Sequence, residues 1–201
     1  MAKTDNHNPK VKLDLRRYFL RKYHSVDLPT VFDCCQGSAV MWTTLQKEFA
    51  IKNYWGVDLK PKKGRLKIDS VRILSQGISE NVIDVDTYGE PWKHWLALIE
   101  HVKQPTTVFL TIATIKMGGG GNITHESRQM LGIDQLPSLP QSFCGKLSSI
   151  IPRFMLAKAK DFVKIIEAVE AVSTGNARYI GVRLEPMKKD GLPAASTASK
   201  P

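Results

Sequence analysis

The sequence predicts an α/β fold in which a mainly parallel sheet is flanked by helices. Three observations carry this. Short runs of β-branched and aromatic residues alternate with segments of helical period. Those runs end in acids, at Asp33, Asp58, Asp69 and the pair Asp84 and Asp86. A turn around Gly37 follows the first run, where a strand must hand over to a helix.

Taken in order, residues 1–10 are polar and read as a disordered arm. Residues 12–24 place Leu13, Leu15, Phe19, Leu20 and Tyr23 at helical spacing, an amphipathic helix with a basic face. Thr30 to Cys34 is a first strand, and Ser38 is the expected N-cap of a helix reaching about Ala50. Asn53 to Val57 is a second strand, closed by Asp58. Pro61 and Gly64 mark a loop before a short third strand, Arg65 to Ile68. A short helix over Val71 to Gln76 leads to the fourth strand, Asn81 to Val85. Residues 91–103 carry Trp92, Trp95, Leu96, Leu98, Ile99 and Val102 at helical period, with Pro91 suited to the first turn. The two tryptophans read as core, with base stacking as the alternative, and His94 reads as a surface residue of that helix.

Thr106 to Ile115 is β-branched and makes a fifth, buried strand. Gly118 to Gly121 is either a lid or a plain connection. Short helices are expected at 124–131 and 142–150. A longer helix is expected at 153–172, with Phe154, Leu156, Phe162, Ile165, Ile166 and Val169 on its apolar side. Ala177 to Leu184 is the last strand, free to run antiparallel at or near an edge. The segment 188–201 reads as a disordered tail. One domain, 11–187, accounts for the pattern, a size that supports a sizeable core.

The 201 residues carry a net charge of +10, with a pI of about 9.6. That balance favours an anionic partner, most simply nucleic acid. Arg16, Arg17, Arg21 and Lys22 cluster on the first helix, and Lys60, Lys62, Lys63, Arg65 and Lys67 in one loop. The alternative is a solvated charged face. Of these, Arg16, Arg17, Arg21, Lys62 and Lys63 are the candidate nucleic-acid contacts. The longest apolar run, Thr106 to Ile115, is far short of the roughly 20 residues that span a bilayer. No signal-peptide core is present at the N-terminus, so a cytoplasmic home is the expectation. The 3 cysteines, Cys34, Cys35 and Cys144, offer neither a disulfide framework nor metal-ligand spacing, and no metal is expected. Cys34 and Cys35 read as packing within the first strand rather than as nucleophiles.

The most informative stretch is Asp84-Val85-Asp86-Thr87-Tyr88-Gly89-Glu90-Pro91. Strand alternation puts Asp84 and Asp86 on one face, and Gly89 permits close backbone approach. A strand-to-helix turn is the plain alternative. The other acids favour a ligand, because open α/β sheets bind ligands at the carboxyl ends of their strands. Clustered carboxylates repel unless something positive or hydrogen-bonding lies between them.

Four segments resemble the motifs of class I S-adenosylmethionine-dependent methyltransferases. Val31-Phe32-Asp33-Cys34-Cys35-Gln36-Gly37-Ser38-Ala39 resembles the first motif, with Ala39 where a second glycine is common. Tyr54-Trp55-Gly56-Val57-Asp58-Leu59 resembles the second and Leu66-Lys67-Ile68-Asp69-Ser70 the third. The Asp84–Pro91 block resembles the fourth, most like that of the tRNA guanine-N2 dimethyltransferases, with Thr87 in place of a proline. The resemblance implies a Rossmann-like methyltransferase fold and S-adenosylmethionine as cofactor. It places Asp33, Gly37, Ala39, Asp58, Leu59, Asp69, Ser70 and Asp84 around that cofactor, Asp58 on the ribose hydroxyls and Asp69 on the adenine amine. It makes Asp86 and Tyr88 catalytic, Asp86 accepting from the base amine and Tyr88 stacking. The function expected is methylation of an exocyclic amine of a nucleic-acid base, RNA in preference to DNA. The alternatives are methylation of a protein or small molecule, and a non-catalytic nucleic-acid-binding module on the same scaffold.

Overall fold

The computed structural model describes residues 9–60, 66–87, 89–113, 125–135, 141–172 and 177–187. Residues 1–8 of the expected arm, the tail, the glycine run Gly118–Gly121, and the site candidates Lys62, Lys63 and Tyr88 lie outside the described residues, whereas Pro9 and Lys10 of that arm already belong to the first helix. The chain runs α1 (Pro9–Tyr23), β1 (Thr30–Asp33), α2 (Val40–Leu45), β2 (Asn53–Asp58), β3 (Leu66–Lys67), α3 (Ser70–Leu74), β4 (Val82–Val85), α4 (Trp92–Ile99), β5 (Thr106–Ala113), α5 (His125–Met130), α6 (Gln141–Ala159), β6 (Val163–Val172) and β7 (Ala177–Pro186). The strands form one sheet in the order β3-β2-β1-β4-β5-β7-β6. The pairs β3-β2, β2-β1, β1-β4 and β4-β5 are parallel, whereas β7 is antiparallel to both of its neighbours. The last strand is therefore reversed, as its position allowed, and lies one place in from the edge.

Alternation along the strands divides the core in two. Phe32, Val57, Ile83, Val85, Val108, Leu110 and Val182 face α4 and α6. Trp92 and Trp95 are buried in this half, and the Trp95 indole donates to the Met155 carbonyl at 3.0 Å. Both tryptophans are core. On the other face, Val31, Val82, Phe109 and Tyr179 pack beneath Leu15, Phe19 and Leu20 of α1 and Trp42 and Leu45 of α2. The Phe19 ring stands edge-on to Phe109, 5.8 Å between centroids, and lies directly on Gly181 of β7.

The segment 153–172 is not one helix. α6 runs through Pro152 to Ala159, a turn over residues 160–162 stops it, and β6 follows. The apolar residues Phe162, Ile165, Ile166 and Val169 mimic a helical period because β6 is bulged between Ile165 and Glu167. Two runs of alternation are joined out of phase, and the extra residue restores a spacing near four. Ser38 does not cap α2; Ala39 holds the N-cap position in a left-handed conformation, φ 58°.

Phe19→Ala should cost about 3–5 kcal/mol of stability, as deletion of a fully buried aromatic does. Gly181→Ala drives a methyl into the Phe19 ring and should cost about 1–3 kcal/mol. Urea unfolding of both, and recovery when Phe19→Leu is added to Gly181→Ala, checks the contact.

Candidate functional site

The carboxyl ends of β1, β2 and β4 bring Asp33, Asp58, Asp84 and Asp86 to one edge of the sheet. Asp33 is buried beneath the turn that follows β1. Its carboxyl accepts from the Tyr54 hydroxyl at 3.0 Å and from the Cys35 N–H at 3.3 Å. Burial, then the nearby Asp84 charge, push its pKa up to about 8. Burial, then the adjacent Asp33 carboxyl, raise the Tyr54 phenol. Burial also raises the Cys34 and Cys35 thiols, so neither is a thiolate nucleophile near neutral pH.

The turn itself is tightly defined. Gly37 takes φ +49°, and the Ala39 N–H closes it on the Gln36 carbonyl at 2.7 Å. A left-handed alanine is strained, a cost of order 1–3 kcal/mol that its surroundings must offset. Below the turn, a Cβ on Gly56 would meet the Asp33 carbonyl at 2.9 Å, so only glycine lets β2 pass there. Asp58 receives the Gly37 N–H on Oδ2 at 3.0 Å and the Lys60 N–H on Oδ1 at 2.8 Å. Each oxygen keeps a lone pair, which suits a vicinal diol. Beside it, Leu59, Leu66 and Ile68 are exposed at 62%, 53% and 40%, an apolar rim open to a flat ring.

Asp69 caps α3 by accepting the Val71 N–H at 2.9 Å. Ser70 is buried, and its hydroxyl meets His94 Nε2 at 2.9 Å. His94 is therefore not the surface residue expected. Burial lowers its pKa to about 4, and its Nδ1 has no partner among the described residues.

The decisive departure concerns α1. Arg16 lies on the sheet, 1% exposed, and is not a solvent-facing nucleic-acid contact. Its Nε and Nη2 grip Asp84 at 2.9 and 2.5 Å, while the Trp42 indole adds a third donor at 2.6 Å. Burial alone would lower the Arg16 pKa; the Asp84 charge and hydrogen bonds reverse this, and the net direction is upward. Asp84 is thus committed to the fold, and the expected cofactor contact of its side chain is corrected to a structural ion pair. Arg16 Nη1 also donates to the Lys12 carbonyl at 3.0 Å. One turn earlier, Lys12 Nζ bridges both oxygens of Asp86 at 2.6 Å. Arg17 pairs with Glu48 and Asp14, and Arg21 is exposed with its guanidinium 5.9 Å from the Phe49 ring.

Lys12, Trp42 and Tyr54 were not among the residues the sequence singled out. Their signal was present for Lys12 and Arg16: both fall in the repeat Lys12, Leu15, Arg16, Phe19, Leu20, the spacing of the buried stripe.

No family model matches the sequence, and no curated protein matches it. The fold does match solved structures. Trm1 from Pyrococcus horikoshii, in complex with S-adenosyl-L-methionine, superposes with a TM-score of 0.62 at 15% identity, over 90% of this chain and 56% of that one. This chain thus spans little more than half of that protein's length. A candidate hemolysin from Streptococcus thermophilus gives 0.55 at 12% identity, over 94% of this chain and 70% of its own. Magnesium protoporphyrin IX methyltransferase from Synechocystis, with SAH bound, gives 0.51 at 12% identity, over 86% and 81%. The fold of this chain is the Rossmann-like fold of methyltransferases. Among the described residues no helix is long and apolar enough to cross a membrane, and no acid, histidine or cysteine cluster could hold a metal.

Two outcomes test this arrangement. Arg16→Met leaves Asp84 buried without its cation and should cost about 3–5 kcal/mol in urea unfolding. The second concerns Asp33, protonated in the fold up to about pH 8 but in the unfolded chain only below about pH 4. Its stabilising contribution is full below pH 4 and falls as pH rises through 8. His24 and His94, lowered to about 4 chiefly by burial, slope the other way and lose their contribution between about 6.5 and 4. The difference between wild type and Asp33→Asn isolates Asp33. The variant should gain on wild type as pH rises from about 5 to 8.5, whereas parallel urea midpoints would place Asp33 as an ordinary carboxylate.

Proposed function

We propose that the protein is an S-adenosylmethionine-dependent methyltransferase acting on an exocyclic amine of a nucleic-acid base, RNA in preference to DNA. The observation that carries the enzyme reading is the cradle at the ends of β1 and β2. There the Gly37 turn, the half-satisfied Asp58 carboxylate and the apolar rim of Leu59, Leu66 and Ile68 converge. These groups fit the cofactor: backbone close to its methionine portion, Asp58 on the ribose diol, the apolar rim against adenine, and Asp69 with Ser70 at the adenine edge. The cofactor supplies a methyl group already activated by a sulfonium charge. The chain's task is then positioning more than base catalysis. Asp86 accepts from the acceptor amine and turns its lone pair toward the methyl, and Tyr88 stacks on the base. The resemblance of the Asp84–Pro91 block, the net charge of +10 and the likeness in fold to Trm1 support a nucleic-acid acceptor. Arg21, Lys62 and Lys63 are the cations proposed to face it.

A second reading, a small-molecule acceptor, has its own observation. Much of the α1 charge is spent within the protein, on Asp84, Asp86, Glu48 and Glu167. The porphyrin methyltransferase shares the fold.

Calorimetric titration with S-adenosylmethionine should show binding, and Asp58→Ala should weaken it by about 1–3 kcal/mol, the cost of unpaired buried partners. Absence of binding to the wild type overturns the enzyme reading. Transfer of labelled methyl groups onto bulk RNA, DNA, protein and small-molecule extracts then separates the acceptors. On the acceptor so found, Asp86→Asn should cut turnover while leaving cofactor affinity within a few-fold.

A further inference from the structure

Resting on that reading, we infer that Lys12 is a specificity-determining residue of the acceptor site, forming with Asp86 a donor–acceptor pair that reads an amine beside a ring nitrogen on a heterocycle edge. Lys12 is 5% exposed, yet it is a cation on the buried face of a helix. Its Nζ lies 2.6 Å from each Asp86 oxygen and 5.4 Å from the centre of the Tyr179 ring. An ammonium has three N–H donors. Two meet Asp86, and one remains for a neighbour. Asp86 in turn keeps lone pairs on both oxygens. A donor and an acceptor this close match the adjacent groups of one base edge, where an amine donates and the next ring atom accepts.

The helix that carries Lys12 is not a loose plug. Leu15, Phe19 and Leu20 anchor it in the core, and Arg16 fixes the Lys12 carbonyl from the buried Asp84 pair. Lys12 therefore stays at the site when an acceptor enters. A second observation points to a ligand. Thr111 pairs with Tyr179 across β5 and β7, one residue past the Val85–Leu110 pairing, which sets it next to Asp86. Its hydroxyl is buried without a partner among the described residues, and so is that of Thr87, the residue after Asp86. Orphaned hydroxyls beside a buried lysine paired with a half-buried aspartate are groups that a polar ring edge would satisfy.

The pair selects chemistry. Adenine presents N6 beside N1, cytosine N4 beside N3 and guanine N2 beside N3, each an amine next to a ring acceptor. A lysine side chain or a hydroxyl acceptor presents no such neighbour and leaves the Lys12 donor unmet.

The test uses the intact protein, S-adenosylmethionine, and the base found to be methylated, together with its analogue in which carbon replaces that ring nitrogen: 1-deazaadenosine, 3-deazacytidine or 3-deazaguanosine placed in the same oligonucleotide. With the wild type, the analogue should raise KM about ten-fold to a hundred-fold, the loss of a hydrogen bond to a charged donor. With Lys12→Met, which keeps the buried stem, both substrates should bind equally weakly, so the ring-nitrogen effect vanishes. Lys12→Arg should retain part of it. If the wild type does not distinguish the analogue, or if Lys12→Met lowers KM for the normal base, Lys12 is a spectator or an obstacle and the inference is overturned. The proposed function would still stand. If wild type methylates no nucleic-acid base but does methylate protein or small molecules, the function itself is overturned and the inference with it. The analogue comparison on wild type needs no variant to fold.

Discussion

The Arg16–Asp84 pair holds the sheet edge and the helix above it together. A carboxylate in this position, 68 residues from its partner in sequence, has been taken out of water at large cost. Three donors answer it: two from one guanidinium and one from Trp42. Planar bidentate geometry suits arginine, and lysine could not replace it. Such a pair adds little net stability over an apolar substitute, but it permits only one docking. Once Arg16 meets Asp84, the register of α1 on the sheet is set. Phe19 falls on Gly181, and Lys12 falls on Asp86.

The same pair organises the electrostatics of the whole edge. Acids crowded at strand ends must each find a way to carry or lose charge. Asp84 takes Arg16, and Asp86 takes Lys12. Asp33, deep in the turn and beside the Asp84 charge, holds its proton instead. Asp69 turns to the N-terminus of α3. Among the described residues, Asp58 is met by two backbone N–H groups and stays partly open. The edge thus divides into a closed half above β4 and an open half above β2. On the proposed function, the open half is where the cofactor lies and the closed half is where the acceptor is read.

Several parts of this were legible in the residues. The strand ends, the glycine turn and the parallel run of the first five strands follow from local periodicity and turn chemistry. Trp92 and Trp95 declared themselves as core by helical spacing. The miss at β6 was also local in origin: one bulge converted alternation into an apparent helical period, and a bulge is defined by the partner strand. His94 was misplaced because nothing in its own helix announces that Ser70 of α3 packs against it.

Sequence by itself determined which elements form from α1 to β5 and where the acids sit along them. Both depend on interactions within a few residues. Tertiary structure alone decided the charge partners. On sequence, Arg16 and Lys12 look like a basic face, and Asp84 and Asp86 look like a matched pair of site carboxylates. Whether a cation faces solvent or core depends on what its helix packs against, and here the partners come from 68 and 74 residues away. Desolvation made that choice. Two cations in an apolar stripe can be buried only where two carboxylates wait, and β4 places them at that spot.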